Sequence, residues 1–433
     1  MKKLKTFYSF SFGCRVNEAE KEEIDKKMIE NGFIFDEKNP DVYIINTCAV
    51  THKAEREARQ LVYKINKTLP KTKIVITGCS ATYWKKNNYY QDLPVSLLVD
   101  NLNKEYLVEL LKKHFQNSLN LSSNYNSEKS FITSKFLSSK RAMIKIQDGC
   151  QRYCTFCIVP YLRAFPRSRK INDILTMVKN MQDKVTEVVL TAINTEAFGY
   201  DTKESFIELL KTILEKTKIK RLSLGSIHPW SINDNFFDFY KNYHKSERFI
   251  DFFHIPIQSG SDRMLILMKR GYKTSEILEK LKKIKKINPF AFIGTDLIVG
   301  FLEETDKDFQ DSLEFLKITP IDKFHVFRFS KRTKTQAYFM AKKLKEPDEK
   351  TKEKRSNALI ELGRKKYFQF LEKNLGRESK VLILNKREGD FCHGLLDNQL
   401  PILIPYSKKL QFGEIYPVKV MDLKKGRLVG EAC

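Results

Sequence analysis

Three of the eight cysteines fall in one short segment, Cys150-Gln151-Arg152-Tyr153-Cys154-Thr155-Phe156-Cys157, a Cys-x3-Cys-x2-Cys group. Gly149, Arg152 and Thr155 surround them with loop-like polar sequence rather than a core pattern, so three unrelated buried thiols are a poor reading. Three thiolates can converge on one loop to hold a metal. Structural zinc wants a fourth protein ligand, and no His or Cys follows at finger spacing. A cubane iron–sulfur cluster normally takes four thiolates, so three leave one iron free to coordinate an exogenous molecule. Three other cysteines, Cys14, Cys48 and Cys79, are distant in sequence but alike in setting, each following a short apolar run.

Those runs, residues 5–12, Val42 to Ile45 and Lys73 to Thr77, are rich in β-branched and aromatic residues, which predicts buried parallel strands. Between them, Glu18 to Asn31 carries Ile24 and Met28 four apart and stops at Gly32, while His52 to Lys67 carries Ala58, Leu61, Val62 and Ile65 on one face. The pattern is an open α/β sheet, with one more helix around Leu107, Leu110 and Leu111. Cys14, Cys48 and Cys79 then lie just beyond the carboxyl ends of its strands, the edge where such sheets collect ligands. Strand order, which one sequence does not give, decides whether these thiols meet in a second three-thiolate site.

From Asn117 to Ser139 Ser and Asn dominate with little periodicity, as in a linker. Six further strands follow: Ala142 to Gln147, Glu187 to Thr191, Arg221 to Leu224, Phe252 to Ile257, Phe292 to Val299 and Lys323 to Phe329. The apolar stripes Ile277, Leu281, Ile284, Ile287 and Phe309, Leu313, Leu316 predict helices between them, hence parallel pairing in a barrel or half-barrel. The Cys150 loop follows the first of these strands. A charged amphipathic helix is expected between Pro347 and Leu375, starting near Asp348 and stopping at Gly376. The last stretch, Val381 to Leu384, Gly394 to Leu396, Leu400 to Ile404, Ile415 to Val420 and Leu428 to Val429, reads as a small all-β barrel of about sixty residues.

Composition bounds the partners. A chain of 433 residues is too long for one ordinary core. Its 78 Lys and Arg against 53 Asp and Glu give a net charge of +25, a field that favours polyanions, nucleic acid first, the alternative being that a Lys-, Asn- and Ile-rich composition only reflects coding bias. Lys331 to Arg377 concentrates fifteen Lys or Arg against six Asp or Glu, though residue by residue a solvated helix face explains them equally well. No run of eighteen apolar residues predicts a membrane span, and MKKLKTFYSF has no apolar h-region for export. The cysteine density is far below that of a disulfide scaffold, so a reducing cytoplasm is expected.

The three-Cys loop, with an aromatic residue before its last Cys, resembles the signature of the radical S-adenosylmethionine enzymes. Phe12-Gly13-Cys14-Arg15-Val16-Asn17, Ile45-Asn46-Thr47-Cys48-Ala49-Val50-Thr51 and Thr77-Gly78-Cys79 resemble the cysteine boxes of the methylthiotransferases among them. His254-Ile255-Pro256-Ile257-Gln258-Ser259-Gly260-Ser261-Asp262, Gly294-Thr295-Asp296-Leu297-Ile298-Val299-Gly300-Phe301 and Phe324-His325-Val326-Phe327 with Ser330-Lys331-Arg332 resemble core boxes, and the terminal β unit resembles an RNA-binding TRAM module. The resemblance implies an N-terminal methylthiotransferase domain over 2–116, a linker over 117–135, a partial (β/α)6 radical core over 136–367 and a TRAM-like domain over 368–433. It departs from the family's pattern at Ala164 and Ala192, where Gly is usual, at His228, where Glu is usual, and at Leu302-Glu303, where Pro-Gly is usual. Either those loops have adjusted or the cofactor is held differently.

The resemblance further implies two [4Fe-4S] clusters, one on Cys150, Cys154 and Cys157 whose open iron chelates S-adenosylmethionine, and an auxiliary one on Cys14, Cys48 and Cys79. Phe156, Gln258, Ser259, Gly260 and Gly300 would border the cofactor; no catalytic residue beyond the cluster ligands is implied. The implied substrate is an anticodon-loop adenosine of tRNA, methylthiolated at C2, with the branch acting on N6-threonylcarbamoyladenosine at position 37 most similar. Sister readings are N6-isopentenyladenosine in tRNA and an aspartate of a ribosomal protein; from a different class comes a non-catalytic iron–sulfur RNA-binding protein. A monomer is expected, and neither the electron donor nor the sulfur source is legible. Cys392, placed in a β turn, and the terminal Cys433 are expected to be spectators, and His228, His254 and His325 satisfied core or loop histidines.

Overall fold

The computed structural model describes residues 4–119, 133–134 and 136–432. Cys433 and most of the Ser/Asn-rich stretch lie outside the described residues. The chain forms two compact units: Met1–Leu137 with Asp148–Gln151 and Cys157–Phe165, and Ser138–Gln147 with Arg152–Phe156 and Pro166–Cys433.

In the first unit β1 (Thr6–Ser11), β2 (Ile34–Phe35), β3 (Val42–Thr47), β4 (Lys73–Thr77) and β5 (Leu97–Leu98) form a parallel sheet in the order β2-β1-β3-β4-β5. Every residue of β3 is buried, as a central strand covered on both faces requires. Alternation along the strands sorts two cores. Val42, Ile44 and Val75 pack with Ile24 and Met28 of helix Arg15–Glu30 and with Leu107 and Leu111 of helix Leu107–His114. Tyr43, Ile45, Ile74 and Ile76 pack with Ala58, Val62 and Ile65 of helix His52–Thr68 and with Trp84 of helix Gly78–Asn87. That last helix is absent from the sequence reading because its residues Gly78 to Trp84 are all buried and carry no amphipathic stripe. The edge strands β2 and β5 are too short to show a period.

All six expected parallel strands occur in the second unit. Alongside β7 (Arg167–Ser168), strands β6 (Arg141–Asp148), β8 (Glu187–Ala192) and β9 (Arg221–Leu224) make a sheet ordered β7-β6-β8-β9, in which β6, β8 and β9 are parallel. Parallel strands β10 (Phe252–His254), β11 (Phe292–Val299) and β12 (Lys323–Arg328) follow, and a Leu222–Phe249 bridge links β9 to the segment entering β10. β10 stops at His254, short of the expected Ile257, because Pro256 has no amide to give the ladder and Gln258 turns the chain with φ 73°. Ser205, Asn233 and Thr305 cap the intervening helices by accepting an amide of the first turn, and Asp348 caps helix Glu349–Lys373 in the same way.

Strands β13 (Glu378–Glu388), β14 (Phe391–Leu395), β15 (Pro401–Pro405), β16 (Ile415–Lys424) and β17 (Arg427–Ala432) close into a barrel ordered β13-β14-β15-β17-β16. Register shifts between Ile383 and Arg387 and between Val420 and Asp422 supply the bends that closure needs. Cys392 is not in a turn. The turn is made earlier, at Gly389 with φ 56°, and Cys392 points inward from β14 with its side chain among Val381, Ile402 and Ile404. The barrel docks on the amino ends of β8 and β9: Gln399 donates to Glu187, and Arg221 donates to the carbonyls of Leu395, Leu396 and Lys380.

Candidate active site

The order of the first sheet settles where its thiols go. β1, β3 and β4 are neighbours, so the carboxyl ends that precede Cys14, Cys48 and Cys79 lie side by side, with the topological switch between β1 and β3. Cys14 is the N-cap of helix Arg15–Glu30, Cys48 follows β3 directly, and Cys79 is the second residue of helix Gly78–Asn87. Each glycine beside them is required by close approach. A Cβ on Gly13, at φ 91°, would stand 2.6 Å from the Cys48 sulfur, and one on Gly78, at φ 95°, would run into the Thr47 backbone.

Donors are aimed at all three of these sulfurs. The amide of Asn17 donates toward Cys14 and that of Val50 toward Cys48. Cys79 receives Arg163 Nε at 3.3 Å and Asn101 Nδ2 at 3.5 Å. Hydrogen bonds to the sulfurs are a standard feature of iron–sulfur ligation. Burial first, then the neighbouring Cys79 and Cys14, pushes the Cys48 thiol up to about 12, so a metal must displace its proton on binding.

Arg163 is the hub beneath this triad and is 1% exposed. Its Nη1 donates to Glu20 at 2.7 Å and Asp148 at 2.8 Å, and its Nη2 to Asn17 at 2.8 Å. Lys104, also buried, reaches Glu20 at 2.6 Å.

The Cys150, Cys154 and Cys157 loop leaves the carboxyl end of β6 as expected. Gly149 has φ 78° and its missing side chain makes room for the Phe165 carbonyl, while the Cys150 amide donates to Ala164 O at 3.1 Å. Thr155 is tied twice to one segment, its amide to Met268 O at 3.2 Å and its hydroxyl to Leu267 O at 2.8 Å, and its carbonyl accepts from Ala337 at 2.8 Å. Arg270 Nη1 donates to the Cys154 sulfur at 3.2 Å.

Of the residues expected to border the cofactor, Phe156 is half-buried against Met264, Met268 and Phe301, and Gln258 is half-buried with its amide bonded to Asp296 O at 2.9 Å. Ser259, Gly260 and Gly300 have packing reasons of their own. Ser259 Oγ lies 3.4 Å from Ser312 Oγ, a Cβ on Gly260 would meet the Ser312 backbone at 2.9 Å, and Gly300, at φ 71°, leaves space for Lys352 and donates its amide to Glu304 at 2.7 Å.

Adjacent strands bring together a group the sequence reading set aside one residue at a time. His254 Nε2 lies 3.1 Å and His325 Nδ1 3.4 Å from the same Asp296 oxygen, and the imidazoles stack at 5.3 Å. Although burial opposes it, the two imidazoles hold the Asp296 carboxyl well below the usual carboxylate range. His228 is pushed down to about 3 by burial, then by Arg270, and stays neutral. Arg163 and Arg270 carry no local mark in the sequence, and Asp296, though inside the Gly294 to Phe301 box, is joined to the two histidines only by strand register.

A family described as the Radical SAM superfamily matches residues 144–316, and one described as Uncharacterized protein family UPF0004 matches residues 6–99. The Threonylcarbamoyladenosine tRNA methylthiotransferase MtaB of Aquifex aeolicus (strain VF5) is 34% identical over 384 residues, covering 87% of this chain and 92% of the relative. The chain belongs to the radical S-adenosylmethionine methylthiotransferase family. The MtaB of Rickettsia prowazekii (strain Madrid E) is 32% identical over 96% of this chain and 95% of the relative. A tRNA-2-methylthio-N(6)-dimethylallyladenosine synthase of Petrotoga mobilis is 30% identical over 98% of both chains. Among solved structures, the radical S-adenosylmethionine methyltransferase TsrM from Kitasatospora setae shares the fold, with a TM-score of 0.52 at 10% identity over 76% of this chain and 72% of that one.

This methylthiotransferase uses the family's cofactors, S-adenosylmethionine and two [4Fe-4S] clusters. Two of its departures from the family pattern fall on glycine-like backbone. Ala164 has φ 59° and ψ −156°, and Glu303 has φ 59°, so both keep a backbone that favours the usual Gly. Both residues carry the strain of that conformation. Ala192 ends β8, and His228 has an ordinary φ of −81°. Ala164→Gly is therefore expected to raise stability by about 1 kcal/mol, the relieved strain exceeding the added chain entropy. Chemical denaturation of the two proteins checks this; a destabilised variant would contradict it.

Proposed function

We propose that this chain methylthiolates C2 of N6-threonylcarbamoyladenosine at position 37 of tRNA. The observation that carries the reading is the convergence of Cys14, Cys48 and Cys79 on one sheet edge, in a chain that also holds the Cys150, Cys154 and Cys157 loop. Support for the substrate comes from the relatives named MtaB at 34% and 32% identity. When bound, the clusters and S-adenosylmethionine supply the one-electron chemistry, the sulfur and the methyl group.

The chain's own residues hold and position these groups. Cys150, Cys154 and Cys157 would ligate the cluster that takes S-adenosylmethionine, and Cys14, Cys48 and Cys79 the auxiliary one. Phe156 and Gln258, both half-buried, are the residues we assign to the cofactor's border; Ser259, Gly260 and Gly300 would shape that border through packing. The C2 edge of a stacked adenosine is inaccessible, so the base must be splayed out, as single-stranded loops allow. The terminal barrel and the exposed basic residues would hold the tRNA backbone. Arg332, Lys352 and Arg355 take no part in that, being 1%, 2% and 5% exposed, with Lys352 and Arg355 spent on Glu346, Glu349, Glu304 and Asp306.

Among the described residues no helix is long and apolar enough to cross a membrane. We assign the protein to the cytoplasm, as a monomer. Mass spectrometry of tRNA nucleosides from cells with and without the gene tests the substrate. Loss of the methylthio form with accumulation of plain N6-threonylcarbamoyladenosine is expected. Loss of the isopentenyl derivative would move the protein to the branch of its Petrotoga mobilis relative. An unchanged profile would overturn the tRNA reading in favour of a protein substrate or a binding role.

A further inference from the structure

Arg270 is 4% exposed, and a guanidinium is permanently charged. Its three donor bonds go to Tyr272 Oη at 2.8 Å, Pro256 O at 2.9 Å and Cys154 Sγ at 3.2 Å. Among the described residues, then, it donates to no carboxylate. Tyr272 is not a hidden anion, because its own hydroxyl proton is committed to Ile257 O at 3.0 Å. Nor do the flanking rings neutralise it. The guanidinium sits 4.5 Å from the Trp230 ring centroid, and a second cation, Arg152, stands 4.1 Å from the same ring with its charge already matched by Glu196. A cation–π contact is worth on the order of 1–2 kcal/mol, far less than the several kcal/mol that burying an ion costs.

Arg163 provides the internal contrast. It too is buried and donates to a cysteine sulfur, but Glu20 and Asp148 neutralise it within the protein. A buried charge needs a partner. For Arg270 the sole anionic candidate among its bonded groups is the Cys154 thiolate, and with it whatever that thiolate ligates.

We propose that Arg270 is a positioning residue for the radical-SAM cluster, a fixed countercharge that favours the cluster's reduced, more negative state. The inference rests on the assignment of Cys150, Cys154 and Cys157 as cluster ligands. The step concerned is the uptake of one electron from a low-potential one-electron donor, with no bond made or broken and no proton moved. The added negative charge is stabilised by the positive charge held at 3.2 Å from one ligating sulfur in a buried contact.

The test uses the full chain, anaerobically reconstituted, with Cys14, Cys48 and Cys79 changed to Ala so that one cluster reports. Iron and sulfide content come first. A parent that binds no cluster overturns the ligand assignment and with it the inference. With the cluster present, a dithionite titration followed by electron paramagnetic resonance compares the parent with Arg270→Gln and Arg270→Lys. Arg270→Gln is expected to lower the ratio of reduced to oxidised cluster at least tenfold at fixed potential, about 59 mV for a one-electron couple, and Arg270→Lys to recover most of it. An unchanged midpoint in an Arg270→Gln protein of full iron content would overturn the proposal while leaving the ligand assignment intact, as would an equal loss in Arg270→Lys.

Thermal unfolding gives a second readout that does not require reducing the cluster. The substitution Arg270→Gln should destabilise the loaded protein more than the iron-free protein, in which the arginine has no full countercharge. Equal destabilisation in both states would reduce Arg270 to a tether between Pro256 and Tyr272, and the proposal would fall.

Discussion

Changing Cys14, Cys48 and Cys79 to Ala is expected to leave cleavage of S-adenosylmethionine to 5′-deoxyadenosine in place and to abolish the methylthiolated product, whereas changing Cys150, Cys154 and Cys157 should abolish both. The loss in each case should be at least about 100-fold, since even partners outside the ligand set cost 10- to 100-fold when removed. The two triads have separate structural origins. One gathers a thiol from the end of each of three neighbouring strands, and the other lies on a single loop after β6. Chromatography of 5′-deoxyadenosine and mass spectrometry of digested tRNA measure the two outcomes on the same reaction. Methylthiolated product from the variant lacking Cys14, Cys48 and Cys79 would disprove the division of labour.

The largest effect on folding is expected at Arg163. Its guanidinium is 1% exposed and holds Glu20, Asp148, Asn17 and the Cys79 sulfur. Arg163→Met would take this cation away from both Asp148 and Glu20, a cost of about 3–5 kcal/mol for breaking a buried pair. Arg163→Lys keeps the charge but not the planar fork, so it should recover only part of the loss. Urea unfolding of the iron-free proteins separates this from any effect on metal. If Arg163→Met lost less than about 1 kcal/mol, the value of a surface pair, the network would not be a major source of stability.

Much of the fold was legible because its elements carry strong local signals. The run Val42 to Ile45 and the stripe Ala58, Val62 and Ile65 each announce their own period, and the Asp348 cap and Gly376 stop bracket a helix that runs from Glu349 to Lys373. The Cys150 loop was legible for the same reason, since its three cysteines are local. The N-terminal triad was only half legible. Each cysteine could be placed after a strand, but their meeting depends on the order β1-β3-β4, a property of long-range pairing. Arg163 and Arg270 could not be found at all. In sequence each is one basic residue among 78, and burial against a sulfur is what distinguishes it. Cys392 was misplaced because the short strand around it has Gly389 and Asp390 before it and a Gly within it, so turn chemistry outweighed an alternation only five residues long.

The ties at Thr155 bear on how such a protein survives air. That residue sits between Cys154 and Cys157, yet its amide, hydroxyl and carbonyl are all engaged by Met268, Leu267 and Ala337. In a zinc finger the metal supplies the folding energy, and its loss melts the domain. Here the polypeptide itself fixes Thr155, so oxidative loss of the iron leaves that part of the mould standing.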